Sequence, residues 1–214
     1  MVLASLFYDC GFKIGVAHCN YQLRGVDSDK DEMLVRQWCE ERNVPFHLAT
    51  IDTEKLVTES NSSVQMIARN ERYKFFSDLM VQNGYAITAM AHHADDRIES
   101  LLMNVLRGTG YRGLQGMPPM REGIIRPLLA IRKSVIREYA IENKVHFAED
   151  FSNSKTHYKR NWVRLKLIPM LDQINPHYSA QLLQFCKRVE NELPNYHKWV
   201  ESEMNVLLES DSLS

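Results

Sequence analysis

The sequence predicts an α/β fold in which helices flank a parallel sheet, followed by a small helical region. Two observations support this prediction. Short apolar runs alternate with amphipathic helical segments along the first two thirds of the chain. Two of these runs end in polar clusters, at His18-Cys19-Asn20 and at residues 92–96. Parallel sheets bind ligands beyond the carboxyl ends of their strands, so these two clusters are the first candidates for a functional site.

The first half of the chain accounts for most of the sheet. Residues 1–8 are apolar but lack a basic segment before them, which predicts a buried helix and not a signal peptide. Apolar runs, capping residues and stop signals then predict the elements in order. They are a strand at 12–19, a helix from Ser28 to about 42, a strand at 46–51, a helix capped by Ser62 and Ser63 and stopped at Asn83-Gly84, a strand at 85–91 and a helix at 95–106.

The second half is predicted to be mainly helical. Its elements are a glycine-rich loop at 107–116, an extended segment at 124–129, a helix at 131–143, a strand at 145–148, a helix at 160–174 bent or restarted around Pro169, and a long helix from 177. We therefore predict three regions. These are an α/β domain at 1–130, a basic extension at 131–176, and a helical linker at 177–214.

Composition narrows the class of protein. Apolar residues make up 44% and charged residues 25% of the 214 residues, as in a globular protein. No run of 18 apolar residues occurs, so we expect no membrane contact. The four cysteines form no C-x-x-C pair, which argues against a zinc or iron–sulfur site and favours reduced thiols in a cytoplasmic protein.

The charge distribution is uneven although the net charge is only −1. Residues 26–60 are acidic, whereas residues 121–170 contain eleven basic and five acidic residues. A local basic surface can bind a polyanion while the whole chain stays near neutral. A solvated charged face is the alternative.

The densest group of reactive side chains lies in residues 91–102, AHHADDRIESLL. Two imidazoles, His92 and His93, precede three carboxylates, Asp95, Asp96 and Glu99. Asp96 and Glu99 are three residues apart and share a helix face. Carboxylates at a strand end can hold Mg²⁺ together with phosphate oxygens, and imidazole can transfer protons. The alternative is a helix N-terminus in which acidic residues complement the helix dipole.

The glycine-rich loop RGTGYRGLQG is the second candidate. Its four glycines allow the backbone to approach a ligand closely, and Arg107 and Arg112 suit phosphate or a nucleotide. An ordinary flexible connection is the alternative.

Two further groups are basic. Arg69 and Arg72 are one helical turn apart in ARNERYKFF and either project together toward the strand ends or form a surface pair. Residues 149–171 combine Tyr158 and Trp162 with basic side chains, a pattern that suits an RNA backbone with an exposed base. An ordinary basic helix is the alternative for the second group.

The order of these motifs resembles that of tRNA(Ile)-lysidine synthases. The motifs are HCNYQLRG (18–25), ARNERY (68–73), AHHADDRIES (91–100), RGTGYRGLQGMPP (107–119), RPLL (126–129), EDFSN (149–153) and YKRNWVRLKLIP (158–169). Each is weak alone, but seven in sequence are specific. The likeness covers residues 1–178.

This resemblance implies an N-type ATP-pyrophosphatase fold, of the adenine-nucleotide alpha-hydrolase-like kind. It implies that residues 1–130 form the catalytic domain and that the basic extension at 131–176 contacts tRNA. It implies a ligase that uses ATP and Mg²⁺ to adenylate C2 of the wobble cytidine in an isoleucine tRNA with a CAU anticodon. Free L-lysine then displaces AMP and leaves lysidine. A cytoplasmic location follows, and a homodimer is left open.

The resemblance also assigns roles to individual residues. Catalytic roles fall on Arg72, His92, Asp96 and Glu99. Asp95 and Asp96 are the expected Mg²⁺ ligands, and Ala17, His18 and Arg107 are expected to contact ATP. RNA contacts are assigned to Arg112, Lys159, Arg160 and Arg164. We expect the acidic turn, Arg72 and the glycine-rich loop to meet in one cleft.

Two departures from the family pattern affect these expectations. The family motif is usually H-x-N-H, but Tyr21 occupies the last position. Family members also carry S-G-G-x-D-S between the first strand and first helix, and the sequence contains no such motif. Its amides and serine would hold pyrophosphate, so we expect this polypeptide to bind ATP poorly and to be inactive. Longer relatives also carry C-terminal tRNA-binding domains.

Three other functions compete with the synthase. A tRNA 2-thiocytidine synthetase has the same fold but depends on a cysteine pair, which is absent. A non-catalytic RNA-binding remnant fits the missing phosphate loop but not the retained HHADD cluster. A metal-dependent phosphohydrolase built on the same cluster would need no lysine.

Overall fold

A computed structural model of the chain describes residues 1–23, 25–53, 56, 58, 63–148 and 159–211, with side chains described as far as residue 204. Its contacts divide the chain into two compact units. Unit 1 contains residues 1–90, 122–125 and 134–149, and unit 2 contains residues 91–121, 126–133 and 150–214. The predicted domain boundaries at 130 and 176 separate regions by function. The division by contacts does not test them, so they stay a prediction.

Unit 1 contains the parallel pairs of strands. Strand β1 (Val16–Asn20) pairs in parallel with β2 (Phe46–Thr50), with Val16 opposite Phe46. Helix α2 (Val26–Glu41) connects them, as a parallel pair requires a crossover. A second parallel pair joins β3 (Thr88–Ala89) to β5 (Ile124–Ile125).

Three more helices belong wholly or mainly to unit 1: α1 (Val2–Asp9), α3 (Val64–Asn83) and α5 (Lys133–Glu142). Ser63 caps α3 by accepting a hydrogen bond from the Met66 amide, and Gly84 ends it in the left-handed conformation at φ 68°. The predicted start and stop of this helix are therefore confirmed. Val2, Ala140 and Val145 pack together as one core cluster of this unit.

Unit 2 is mainly helical. Its elements are α4 (Ala94–Leu106), a 3₁₀ helix (Tyr111–Gln115), β4 (Met120–Arg121), α6 (Lys159–Trp162), a π-helix (Val163–Leu167), α7 (Ile168–Ile174) and α8 (Tyr178–Asp211). Ile98 and Leu101 of α4 are buried, as are Val163 and Cys186. The core of this unit therefore forms where α4 meets the C-terminal helices.

Several predicted elements need correction. The predicted strand at 145–148 is absent, because Val145 packs against Val2 and Ala140 without a strand neighbour. The strand predicted at 85–91 is reduced to Thr88–Ala89. The predicted restart around Pro169 is confirmed, because α7 begins at Ile168 with Pro169 in its first turn, directly after the π-helix. Residues 149–158, including the EDFSN motif and Tyr158, lie outside the described residues. No helix in the described part of the chain combines the length and apolarity needed to cross a membrane.

Candidate functional site

The acidic turn forms the N-terminus of α4. His93 is its N-cap, and the His93 amide donates a hydrogen bond to Asp96 Oδ2 at 3.0 Å. The helix N-terminus carries partial positive charge, so the carboxylates of Asp95 and Asp96 are favoured there. The alternative of a helix N-terminus with acidic capping residues is therefore correct for Asp96. The capping contact uses Oδ2 of Asp96 and not Oδ1.

Glu99 lies one turn farther along α4 and is only 1% exposed. Arg164 holds it with two hydrogen bonds, Nε to Oε1 at 2.5 Å and Nη2 to Oε2 at 2.9 Å. Arg160 donates from Nε to Oε2 at 2.8 Å. A buried carboxylate is stable only when paired and hydrogen-bonded in this way.

The same two arginines also face Asp96. Nη2 of Arg160 lies 3.2 Å from Asp96 Oδ1, and Nη2 of Arg164 lies 3.7 Å from the same oxygen. Hydrogen bonds to Glu99 raise the pKa of Arg164, although burial opposes this. We call these four residues the acid–arginine cluster. In it, two cations balance two carboxylates.

Asp95 points to a different set of partners. Its Oδ2 accepts a hydrogen bond from the Lys133 amide at 2.8 Å, and its Oδ1 pairs with Arg132 at 2.8 Å. Burial by itself raises the pKa of Asp95, but hydrogen bonds from His93 and the Lys133 amide, with the charge of Arg132, lower it to about 2. Asp95 is therefore ionised at neutral pH.

The imidazole of His93 lies between the two aspartates. Its Nδ1 is 3.5 Å from Asp95 Oδ2, and its Nε2 is 3.4 Å from Asp96 Oδ2. His93, more than His92, is therefore the imidazole that the structure brings to the carboxylates. The sequence pattern did not distinguish between the two.

The carboxylates in this arrangement do not fit Mg²⁺. Asp95 and Glu99 use both oxygens on nitrogen donors, and both oxygens of Asp96 face donors as well. The part of the chain that the structure describes contains no group of three or more His, Cys, Asp or Glu side chains that could hold a metal ion. The cluster instead suits nitrogen cations, because guanidinium groups already occupy it.

The glycine-rich loop packs along α4, with its last residues against Arg97. Arg97 donates from Nε to the Gln115 carbonyl at 3.1 Å and from Nη2 to Glu190 at 2.6 Å. Arg107 is the C-cap of α4, about 16 Å along the helix from Asp96 at 1.5 Å per residue. The structure therefore does not bring Arg107 and Asp96 together.

Arg72 lies in unit 1, on α3, beside Tyr21 and Cys19. Its Nε is buried and has no hydrogen-bond partner among the described residues. Burial raises the pKa of Tyr21 to about 12, although the charge of Arg72 opposes the rise. An orphaned guanidinium N–H at this position suits an anionic or carbonyl oxygen of a ligand.

The two residues expected against adenosine lie on β1. Ala17 is exposed, and His18 is half-buried. Burial lowers the pKa of His18, whereas Glu32 and Asp31 oppose this. Their contact with ATP stays a prediction.

The residues predicted to contact RNA separate into two groups. Arg160 and Arg164 reach the acid–arginine cluster, whereas Lys159 is exposed at the start of α6. Arg112 is exposed and lines a cavity of about 730 Å³ in unit 2 together with Arg121 and His197. Tyr111 packs against Tyr196 beside it, with ring centroids 4.9 Å apart.

The sequence did not reveal Arg132 and Arg97 as members of these networks. Arg132 pairs with Asp95 across 37 positions, and Arg97 pairs with Glu190 across 93. The only sequence signal for either arginine was that Arg132 comes shortly after the RPLL motif. Such long-range pairs leave no local periodicity in a single sequence.

Comparison with known protein families identifies one that matches most of the chain. The sequence profile of the PP-loop domain matches residues 1–171. The chain belongs to the PP-loop domain family. Membership confirms the predicted parallel sheet with flanking helices.

The chain is also similar to curated tRNA(Ile)-lysidine synthases, which confirms the resemblance seen in the motifs. It is 37% identical to the one from Porphyromonas gingivalis (strain ATCC BAA-308 / W83), across all of this chain and 47% of that protein. It is 41% identical to the one from Clostridium perfringens (strain 13 / Type A), across 79% of this chain and 37% of that protein. The chain thus spans about half the length, or less, of these curated relatives.

A solved structure has the same fold. The U34-tRNA thiolase NcsA from Methanococcus maripaludis, described with its [4Fe-4S] cluster, superposes with a TM-score of 0.69. The match covers 88% of this chain and 68% of that one. At 15% identity, this similarity concerns the fold only.

Proposed function

We propose that the PP-loop domain described here is part of a tRNA(Ile)-lysidine synthase. The reaction ligates lysine to C2 of the wobble cytidine in an isoleucine tRNA with a CAU anticodon, through an adenylated intermediate made from ATP. The similarity to curated synthases along the whole chain supports the assignment. The observation that carries it is the acid–arginine cluster, two carboxylates arranged around nitrogen cations.

The proposed role of Asp96 and Glu99 is to bind the ammonium group of lysine. An ammonium is a compact cation with three donors and can take the place of a guanidinium that leaves the cluster. Arg160 is the better candidate to leave, because its side chain is 44% exposed, compared with 30% for Arg164. The departing arginine is then free to pair with an RNA phosphate.

Arg72 is proposed to bind the phosphates or the cytidine through its orphaned Nε. His93 can exchange a proton with Asp95 or Asp96, which lie 3.5 and 3.4 Å from its two nitrogens. It thus joins His92 as a candidate for accepting the proton that the attacking amine must lose. Arg112 and Lys159 are proposed to contact the tRNA backbone, since both are exposed and cationic.

Mg²⁺ enters the proposal only as the counterion of ATP, held mainly by phosphate oxygens. Ligation by Asp95 or Asp96 would require Arg132 or Arg160 to move away from the carboxylate. We assign no step of the reaction to the metal.

The test is ATP-dependent incorporation of labelled lysine into the isoleucine tRNA. It uses the full-length protein that contains this sequence. We expect incorporation with a wobble cytidine and none when uridine replaces it. Asp96→Asn and Glu99→Gln should each reduce the rate at least 100-fold, whereas Asp78→Asn, at an exposed position on α3, should not.

Two results would overturn the proposal. One is full-length protein that is folded but incorporates no lysine. The other is phosphate release that is independent of lysine and tRNA, which would favour a phosphohydrolase.

A further inference from the structure

A strip of aromatic rings lies on the surface of unit 2. Tyr111 of the 3₁₀ helix packs against Tyr196 of α8, with ring centroids 4.9 Å apart. The ring of Trp199, about one turn farther along α8, lies 6.2 Å from that of Tyr196. Tyr196 is 42% exposed and Trp199 is 59% exposed. We call these three residues the aromatic strip. Single exposed apolar side chains are common, but adjoining ones indicate a binding site.

The cavity of about 730 Å³ in unit 2 borders this strip. Ligand sites usually have volumes of about 300 to 1,000 Å³, so this space suits a small molecule or one unit of a polymer. Three basic side chains line it: Arg112, Arg121 and His197. We call it the basic cavity. Its lining includes no member of the acid–arginine cluster.

The strip and the cavity meet at two points along the chain. Tyr111 directly precedes Arg112 in the 3₁₀ helix, and Tyr196 directly precedes His197 in α8. Consecutive Cα atoms are about 3.8 Å apart, so each of these tyrosine rings starts beside a basic group. A ligand with one flat apolar part and one anionic part can therefore reach both surfaces.

The charge of the basic cavity favours an anion. Among the described residues that line it, the one acidic side chain is Glu190, and Arg97 neutralises this carboxylate through a hydrogen bond of 2.6 Å. Arg112 and Arg121 are exposed, and a guanidinium keeps its charge at any physiological pH. Guanidinium groups bind phosphate oxygens through paired hydrogen bonds. The cavity therefore suits a phosphate group.

The 3₁₀ helix beside the cavity is held in place by hydrogen bonds. Asn104 Nδ2 donates to the Gly113 carbonyl at 3.0 Å, and Gln115 Nε2 donates to the Arg112 carbonyl at 3.0 Å. Arg97 Nε donates to the Gln115 carbonyl at 3.1 Å. Because these bonds fix the backbone before a ligand arrives, less conformational entropy is lost on binding.

We propose that the aromatic strip and the basic cavity together bind a phosphorylated nucleoside. Its base stacks on Tyr196 and Trp199, and its phosphate enters the cavity beside Arg112 and Arg121. Every base has a flat π face, so aromatic rings next to cations bind nucleotides with little sequence preference. The nucleoside is either a free nucleotide or an unpaired residue of an RNA chain.

This site adds a base to the RNA contact proposed above for Arg112. Binding at the site requires neither ATP nor lysine, so it is tested separately from the ligation reaction. Full-length protein that incorporates no lysine, while its strip still binds nucleotide, would contradict only the proposed enzymatic function.

The first test uses the 214-residue chain with two probes, AMP and a single-stranded adenylate RNA hexamer. A base that stacks on Trp199 should quench its emission, so we expect saturable quenching by the probes. Trp199→Phe should lose at least half of the quenching, because it keeps a ring but not the indole. An affinity at least tenfold higher for the hexamer would identify RNA as the source of the nucleotide. Equal affinities would identify a free nucleotide.

The second test compares variants by the anisotropy of a labelled hexamer, which does not depend on tryptophan emission. Trp199→Ala removes a stacking ring and should weaken binding at least tenfold, whereas Trp199→Phe should stay within about threefold of the wild type. Phe185→Ala is the matched control. Phe185 is also an exposed aromatic residue of α8, but it lies about three turns from Tyr196.

The third test measures the phosphate contact through its salt dependence. Arg112→Gln should weaken hexamer binding at least fivefold. It should also make the slope of log affinity against log salt concentration shallower by about 0.7, the value for one phosphate contact on a single strand. Arg188→Gln, at an exposed position on α8, should leave the slope unchanged.

Three results would overturn the proposal. One is the absence of binding of both probes at millimolar concentration. Another is equal hexamer affinity of Trp199→Ala and Phe185→Ala. The third is a salt slope that Arg112→Gln does not change. Urea denaturation of each variant confirms that these comparisons are made between folded chains.

Discussion

The paired strands of unit 1 and the acid–arginine cluster of unit 2 are stabilised in different ways. In the cluster, the buried charge of Glu99 is matched by guanidinium groups at 2.5 to 2.9 Å. In the strands, β1 and β2 pair through their backbones, from Val16 opposite Phe46 to Asn20 opposite Thr50. The comparison teaches that the cluster depends on particular side chains, whereas the strand pair depends on backbone groups that every residue except proline supplies.

The largest effect should come from the centre of the cluster. Glu99→Gln removes the buried charge that holds Arg160 and Arg164, and leaves one exposed and one half-buried cation without it. We expect a loss of about 3 kcal/mol in the free energy of unfolding. Urea denaturation of the 214-residue chain measures it, with exposed Glu142→Gln as the matched control. A loss no greater than that of the control would show that the cluster is not a stabilising network.

The second effect depends on pH. The pKa of Asp95 is lowered to about 2, so folding favours its ionised form. The lowered pKa corresponds to about 2 kcal/mol of folding stability before allowance for solvent screening. This contribution of Asp95 to stability is complete above the pKa of the unfolded state, near 4. It is lost as the pH falls through about 2.

The measurement compares the wild type with Asp95→Asn by urea denaturation across this range. The difference in stability should be full at pH 7 and should shrink between about pH 4 and pH 2. A difference in stability that stays constant with pH would contradict stabilisation of the fold by the ionised carboxylate of Asp95.

A third effect tests the loop that packs on α4. Gly116 has φ 68°, and a Cβ atom there would lie 2.9 Å from the Arg97 carbonyl oxygen. We expect Gly116→Ala to lower the free energy of unfolding by about 1.5 kcal/mol. Gly110→Ala is the control, because Gly110 has a negative φ and open space around it. Equal effects of the two changes would contradict the predicted strain.

The smallest effect concerns a side-chain hydrogen bond in unit 1. Tyr85→Phe removes the hydroxyl that hydrogen-bonds with His47 at 2.8 Å, which should cost about 1 kcal/mol. Thermal unfolding of the 214-residue chain measures this loss. A variant as stable as the wild type would show that this hydrogen bond does not stabilise unit 1.

Sequence reasoning succeeded where the signal is local. Ser63 and Gly84 predicted both ends of α3, and the spacing of Asp96 and Glu99 predicted their shared face. It was less successful for the strands, since β3 keeps only two residues of a seven-residue apolar run. Strand length depends on the neighbours available for pairing, which lie far away in sequence.

The assignment of Arg160 and Arg164 shows the same limit at the site. Their spacing correctly predicted that both face one way, and their charge suggested RNA. Nothing local indicated that they would meet Glu99, more than sixty positions earlier. The burial of Glu99 decides the pairing, because a buried carboxylate requires cationic partners.

The sequence by itself determined the PP-loop fold, the helix ends and the acidic turn at the start of α4. Periodicity, capping residues and motif order can all be recognised from residues that are close together in the sequence. Only the tertiary structure decided that Arg160 and Arg164 neutralise Asp96 and Glu99, and that Arg107 lies a helix length away. These outcomes depend on contacts between residues distant in sequence, whose energies come from burial and pairing in space.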